Sequence, residues 1–506
     1  MNKKYYFLNI NFNYIRTGVE NASLLRSKLF NEYLGLQPIM LTTLYNEHLT
    51  ARKDTLYNEK LMNSTTKIIN MYEFFQQTDD KLQEILPKEK NSTWSYESIA
   101  GTNDVRVRNE LGEKIEYHVY NPDGRQKFIN YFNKFGKKIR REWYDANGYV
   151  SKVEILHPTT EKLIMEQYFC KNGTPCIYKY FSGDDKPQLT DIHLVKPDGR
   201  TYFTCHTEQE LITYWLKQLF DEESVHYCFI DRSLPYYPIL KNWQRPNLKI
   251  ISLFHSSHLK TGNDYMTGQW NSNYRDVLND IDRPDAVVYL TEKQRHHVKE
   301  RLGHHDNQYV IPHALETLPA RVPFSQRTPY SVAYLARFAD EKQPLAAIRI
   351  FHQVLQEFPT ATFHLYGRGD QRDKMMGLIR ELNASNNIFI HDFVDSVEAI
   401  YNRTQIGILT SKVEGFSLFT LECIAHGVPV ISYDIDYGPS DMITSGENGV
   451  LCPLDDEEMM ANALITLFEK QAILEQMSHN AYEAAKRFDG AKVAHDWKVL
   501  LQNLES

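Results

Sequence analysis

The sequence predicts an α/β protein built from two doubly wound domains, the first interrupted by a β-rich insertion. Three observations carry this. Apolar runs that end in polar residues alternate with helix-periodic stretches over 1–85, 208–320 and 321–485. Between about 86 and 207 that pattern gives way to aromatic, alternating runs joined by Asx-Gly turns. The length, 506 residues, corresponds to two to four domains of about 100–200 residues each.

Residues 1–85 open with the apolar run Tyr5 to Ile10 and a turn through Arg16, Thr17 and Gly18. The stretch ENASLLRSKLFNEYL follows, with Leu24, Leu25, Leu29 and Leu34 near helical spacing, and then the strand candidate PIMLTTLY. In 86–207, turn signals end at Gly124, Gly148, Gly173 and Gly199, at intervals of 24, 25 and 26 residues, which reads as a β-meander of successive hairpins. Residues 208–320 offer a helix over 208–221 and the strands HYCFID, KIISLF, AVVYLT and QYVIP, the second part of the amino-terminal domain. Residues 321–485 repeat the theme with YSVAYLA, TFHLYG, NIFIHDF, IGILTS and PVISYDI, and 486–506 form a closing helix that returns to the first domain. Two such sheets place their carboxyl edges on one cleft, where open α/β sheets bind ligands.

Composition removes other classes. Hydrophobic residues are 42%, charged residues 24% and aromatics 12%, with 32 tyrosines, so the chain folds. The net charge of −8 argues against a global nucleic-acid footprint and leaves room only for a local basic cleft. Cysteines at 170, 176, 205, 228, 423 and 452 form no CxxC pair, so neither a zinc site nor a disulfide scaffold is indicated. Asn9, Asn11 and Asn13 interrupt the amino-terminal apolar run, and no apolar stretch approaches the ~18 residues of a membrane span. The expectation is a soluble cytoplasmic protein without a transmembrane segment.

Five constellations carry chemistry. In SKVEGFSLFTLE (411–422), Glu414 lies in a loop after a strand and Glu422 near the middle of the next helix. Gly415 permits close backbone approach, and the N–H groups of Phe416, Ser417 and Leu418 open a helix that favours an anion. The plainer reading makes Glu414 a loop residue and Glu422 a solvated position, but Glu422 stands in an apolar stretch and needs a partner. In YLARFADEK, Arg337 and Lys342 put two cations at a strand end, suited to a diphosphate; surface pairing with Asp340 and Glu341 is the alternative. The fragment Gly367-Arg368-Gly369 lacks the third glycine of a dinucleotide fingerprint, since Arg372 stands there, and remains useful as a tight turn at a cleft. Gly18, Val19, Glu20 and Asn21 open another helix, either a second phosphate-compatible terminus or a plain strand-to-helix turn. His255 and His258, in FHSSH, can hydrogen-bond a sugar hydroxyl, act near neutral pH or serve the structure. No GxSxG, HExxH or P-loop occurs.

This conjunction resembles retaining glycosyltransferases of family four with the GT-B architecture of two facing Rossmann-like domains. Glu414 and Glu422 match the E-x7-E motif, Arg337 and Lys342 the diphosphate-binding pair, and His255 the donor-sugar histidine, with His258 as the substitute. Asp392 and Phe393 match the loop whose backbone meets the uracil. With the β-rich insertion, INMYEFFQ (69–76), DRSLPYYPIL (231–240) and YDIDYGPSD (433–441) are similar to segments of two groups. One glycosylates serine-rich or Ser-Asp-repeat surface proteins; the other glycosylates polyol-phosphate wall teichoic acids. The lean is toward the first, with UDP-GlcNAc as the expected donor and glucose as the other candidate sugar.

The resemblance implies that Glu422 holds the ribose and Glu414 a sugar hydroxyl. Arg337, Lys342 and the helix near Ser417 would stabilise the departing UDP, without a metal; the pair Asp280 and Asp282 reads as a helix feature. Ser417 stands where the family often has a second glycine. Expected partners are the UDP-sugar, the serine-rich protein or polyol-phosphate acceptor, and a second copy of the chain or a paralogous GT-B subunit. The expected place is the cytoplasm, up to the inner face of the membrane. A rival of another class is a non-catalytic acceptor-binding subunit; inactive relatives lack the glutamates and cations that this chain keeps.

Overall fold

A computed structural model describes residues 2–13, 17–76, 90–243, 245–260, 264–394 and 396–505. Arg16 of the expected turn and the expected boundary at 85/86 lie outside the described residues. The chain divides into two compact units: Met1–Arg16, Gln37–Tyr227 and Asn242–Leu248 form one, and Thr17–Leu36, Cys228–Lys241 and Lys249–Ser506 the other.

In the first unit, strands Asn2–Leu8, Pro38–Thr42 and Lys67–Asn70 lie parallel in chain order. Phe7, Leu8, Met40 and Leu41 are fully buried, as expected of strands that read as continuous apolar runs. Ten antiparallel strands, from Ser95–Ser98 to Thr201–Cys205, then form one meander in which every strand pairs with its chain neighbours. Four successive turns begin at Asn109, Asn121, Asn133 and Asp145, each twelve residues after the last. In each, the first carbonyl accepts from the N–H of Gly112, Gly124, Gly136 or Gly148, and the first N–H donates to the carbonyl four residues on. These glycines have φ of 72–86°, the left-handed position that closes a bulged hairpin. A register shift accompanies each turn. The sequence interval of 24–26 residues therefore counts strand pairs; the turns at Gly136, His157–Lys162 and Ser182–Gln188 divide the three intervals.

In the second unit, strands Leu248–Leu253, Ala286–Tyr289 and Gln308–Val310 run parallel, joined by short helices and by Glu292–Leu302. A six-stranded parallel sheet follows. Its order is Ile388–His391, Thr362–Tyr366, Ser331–Leu335, Ile406–Leu409, Val430–Tyr433, Gly449–Cys452. This is the 3-2-1-4-5-6 order of a Rossmann sheet, with its switch point between Ser331–Leu335 and Ile406–Leu409. The last strand, GVLC, is an addition to the five expected from sequence. The helix Gly18–Leu34 packs against the closing helix Gly490–Asn503: the Trp497 ring lies 5.9 Å from Phe30 and 5.8 Å from Phe229, with the Arg26 guanidinium 5.5 Å above it.

Candidate active site

The switch point of the six-stranded sheet brings Lys342 and Glu414 together. After Ser331–Leu335 the chain runs through Arg337 into the 3-10 turn Asp340–Lys342. The Lys342 carbonyl accepts from the hydroxyls of Tyr334 at 2.9 Å and Thr410 at 3.0 Å, and the Lys412 N–H donates to the Glu341 carbonyl at 2.8 Å. The loops after the two central strands are thereby stitched together. Lys342 Nζ then reaches Glu414 Oε1 at 2.6 Å, and Ser411 Oγ donates to the same oxygen at 2.7 Å. Both side chains are largely shielded, 20% and 14% exposed, so the pair is stronger than a surface one.

Arg337 does not join them. Its side chain is 71% exposed and pairs with Glu341. For this residue the structure shows the surface pairing that the sequence left open.

Glu422 lies on the helix Leu418–Ala425 and is not solvated: Tyr401 donates its hydroxyl to Oε2 at 2.7 Å. Burial raises its pKa above the ordinary value, and the tyrosine hydrogen bond lowers it in part. Tyr401, on Glu398–Arg403, is the partner that the apolar surroundings of Glu422 required and that no motif named.

Gly415 is required by backbone packing. A Cβ there would fall 2.4 Å from the His255 carbonyl oxygen and 2.6 Å from Ser256 Cα. Ser417 has φ 72° and ψ 85°, which explains why glycine suits this position. It is the N-cap, not a helical residue, and its Oγ accepts from the Thr420 N–H at 3.3 Å. Phe416 is buried with its ring edge-on to Phe488 and His313, and Leu418 opens the helix. A Cβ on Gly18 would lie 3.6 Å from Leu418 Cδ1, so this unit brings the two helix N-termini together.

At the Gly18 terminus Thr17 and Glu20 form a capping box. Thr17 N donates to Glu20 Oε2 at 2.7 Å, and Glu20 N donates to Thr17 Oγ1 at 3.3 Å. Glu20 is thus engaged with its own helix; Val19 is half-buried and Asn21 exposed.

The Gly367 turn packs on the loop that leads to Arg337, since a Cβ there would sit 1.9 Å from the Ala336 carbonyl oxygen. Asp392 is 3.2 Å from Arg372, and Phe393 is exposed with the Arg368 guanidinium 5.8 Å from its ring. Asp280 and Asp282 lie after the helix Arg275–Leu278 rather than within it, with Asp282 2.5 Å from His305 Nδ1.

The two histidines are interior. The His255 side chain is 4% exposed, with Nε2 2.8 Å from Asp231 Oδ1. His258 is fully buried between Trp270 and Tyr437, and burial lowers its pKa to about 3, so it is neutral at physiological pH. Sequence reading singled out neither Asp231 nor Ser411 as a site residue. Asp231 opens the motif at 231–240, and Ser411 precedes Glu414 by one helical turn's spacing.

A carboxylate and a lysine held together between strand ends, beside two adjoining helix N-termini, can grip a polyhydroxylated ligand and a leaving anion at once. Residues 320–485 match the family described as glycosyl transferases group 1. Over 99% of this chain and 75% of the relative, the sequence is 24% identical to a poly(glycerol-phosphate) alpha-glucosyltransferase of Bacillus subtilis. It is 23% identical, over 99% of this chain and 98% of the relative, to the GtfA subunit of a UDP-N-acetylglucosamine–peptide N-acetylglucosaminyltransferase of Streptococcus gordonii. Among solved structures, TarM has a TM-score of 0.87 at 20% identity, covering 100% of this chain and 99% of TarM. The pneumococcal O-GlcNAc transferase GtfA, in complex with UDP and GlcNAc, has a TM-score of 0.83 at 18% identity, with coverage of 100% and 99%. Residues 320–485 thus carry a glycosyl transferases group 1 domain, and the chain has the GT-B fold.

Proposed function

We propose that the chain transfers a sugar, GlcNAc, with retention from a UDP-sugar to serine and threonine hydroxyls of a serine-rich surface protein. The observation that carries the reading is the Lys342–Glu414 contact at 2.6 Å, which holds a cation and a carboxylate together at the sheet's switch point. In this reading Glu414 takes a sugar hydroxyl and Glu422 the ribose. Lys342 and the helix capped by Ser417 stabilise the diphosphate as it leaves. Arg337 joins them by exchanging Glu341 for phosphate, a small displacement for an exposed side chain. The acceptor hydroxyl attacks from the face of departure and loses its proton to the leaving phosphate. The charge on UDP is met by side chains and helix N-termini, so no metal is needed.

The relatives named for peptide glycosylation support the protein acceptor. A second reading, transfer to a polyol-phosphate polymer, is favoured by the relatives named for poly(glycerol-phosphate) and poly(ribitol-phosphate) transfer. The inserted meander handles the acceptor or a partner subunit. Among the described residues no helix is long and apolar enough to cross a membrane; in the proposed setting the enzyme works in the cytoplasm, at the inner face of the membrane when its acceptor is there.

Radiolabelled UDP-GlcNAc and UDP-glucose, each offered a serine-rich peptide and a polyol-phosphate polymer, test donor and acceptor together. Label in the peptide from UDP-GlcNAc is expected; label only in the polymer selects the second reading. Absence of UDP release with any acceptor overturns both. Glu414→Gln is expected to lower transfer by roughly 100-fold or more with an unchanged melting temperature, and normal transfer by that variant removes Glu414 from the mechanism.

A further inference from the structure

The motif beginning at Asp231 has no place in the reaction as drawn, yet its first residue holds the most enclosed charge in the second unit's amino-terminal part. The Asp231 side chain is 0% exposed at the end of the strand Ser224–Ile230. Arg26 Nη2 lies 2.5 Å and Ser23 Oγ 3.1 Å from Oδ2, both from the helix Gly18–Leu34. His255 Nε2 lies 2.8 Å from Oδ1. One carboxylate therefore ties together a helix and the ends of two strands. Burial alone would raise its pKa; the Arg26 guanidinium and the His255 ring lower it below its ordinary value, so it stays ionised.

An ionised Asp231 accepts from His255 Nε2–H and leaves Nδ1 without the proton in a neutral ring. Nδ1 has no hydrogen-bond partner, and His255 lines a cavity of about 30 Å³ together with Arg26, His313 and Trp497. The His313 ring is stacked 5.7 Å from His255, at 14° between planes, and stands edge-on to Phe416 at 5.3 Å. On the other side of His255 its backbone N–H and that of Ser256 both donate to the Tyr274 hydroxyl, at 2.9 and 3.1 Å. The peptide fixed between ring and hydroxyl is the one on which Gly415 seats without room for a Cβ.

We infer that Asp231 is a positioning residue for transfer: through the His255 ring it fixes the His255–Ser256 peptide, and through that peptide the Gly415 turn that carries Glu414. It touches no substrate and acts on the placement of one that does. This rests on the transferase reading above.

The test is a double-mutant cycle on the transfer reaction with Asp231→Asn, which keeps the shape and removes the charge, and His255→Ala. Asp231→Asn is expected to lower kcat about tenfold with KM for the donor changed less than about threefold, and the double variant should be no slower than His255→Ala alone. Additive losses, or a KM effect alone, overturn the inference, because a carboxylate that merely holds the fold gives no coupling in kcat. In the unmutated protein, ring 15N shifts should show His255 with its proton on Nε2. A proton on Nδ1 alone overturns the inference even if Asp231→Asn does not fold. Wild-type transfer is measured first: its absence counts against the transferase reading, while the tautomer still decides the role of Asp231.

Discussion

Lys342 and Glu414 show what a single oxygen can organise. Glu414 Oε1 accepts from Lys342 and Ser411 together, so removing the lysine leaves a shielded carboxylate with one neutral donor. Lys342→Ala is expected to cut transfer roughly 100-fold, and Lys342→Arg to restore only part of it, because the guanidinium cannot occupy the same point between two strand ends. Initial rates with saturating donor decide this. Glu422 makes a pH prediction. Its folded pKa is raised, so the native state keeps a proton that the unfolded chain releases near its ordinary value of 4.5. The stability it contributes is complete below that value and is lost as pH rises through the raised one. The melting temperature of the native protein should therefore fall relative to that of Glu422→Gln as the pH rises above about 4.5; a constant difference would mean that Glu422 titrates as it does in the unfolded chain. Glu414, Lys342 and Glu422 were legible because each lies within a few residues of a strand or helix that its own neighbours announce. Tyr401 and Asp231 were not, because their meaning arises only when distant segments meet.

Elements were legible where the apolar signal was long. Five of the six strands of the carboxy-terminal sheet read as apolar runs and formed as such. Lys67–Asn70 and Gly449–Cys452 were not read as strands, the first because its apolar residues are only Ile68 and Ile69. Two of the turns that the sequence reading did not name carry a different signal. Leu111 and Phe135 precede Gly112 and Gly136, so the familiar Asx-Gly pair is absent and the signal is carried by Asn109 and Asn133 three positions earlier. Helix Leu418–Ala425 supplies an element-scale prediction. Ser417→Ala keeps a left-handed residue and loses its cap, whereas Ser417→Gly loses the cap and relieves the backbone. The alanine variant should be the less stable by about 1 kcal/mol, read by urea denaturation.

For the whole molecule, chain order and compactness disagree in an instructive way. The helix Gly18–Leu34 belongs to the second unit, where Arg26, Phe30 and Phe229 receive Trp497 from the last helix. Sequence periodicity marks both helices and suggests the return of the last one; the contacts of Trp497 identify the partner helix. Trp497→Ala should cost about 3–5 kcal/mol, measurable as a lower denaturation midpoint. Removing 95–205 should abolish sugar transfer to a protein acceptor while leaving slow UDP release from the donor; unchanged peptide labelling would reduce the insertion to a cover.

The twelve-residue repeat of that insertion has an evolutionary corollary. One added strand would reverse the chain's direction and strand its exit at the wrong end of the sheet. Duplication or loss of two, about 24 residues, returns the chain to the same side in the same sense. The sheet is therefore a ruler that can lengthen or shorten in even steps by in-frame copying, with the machinery beyond it undisturbed.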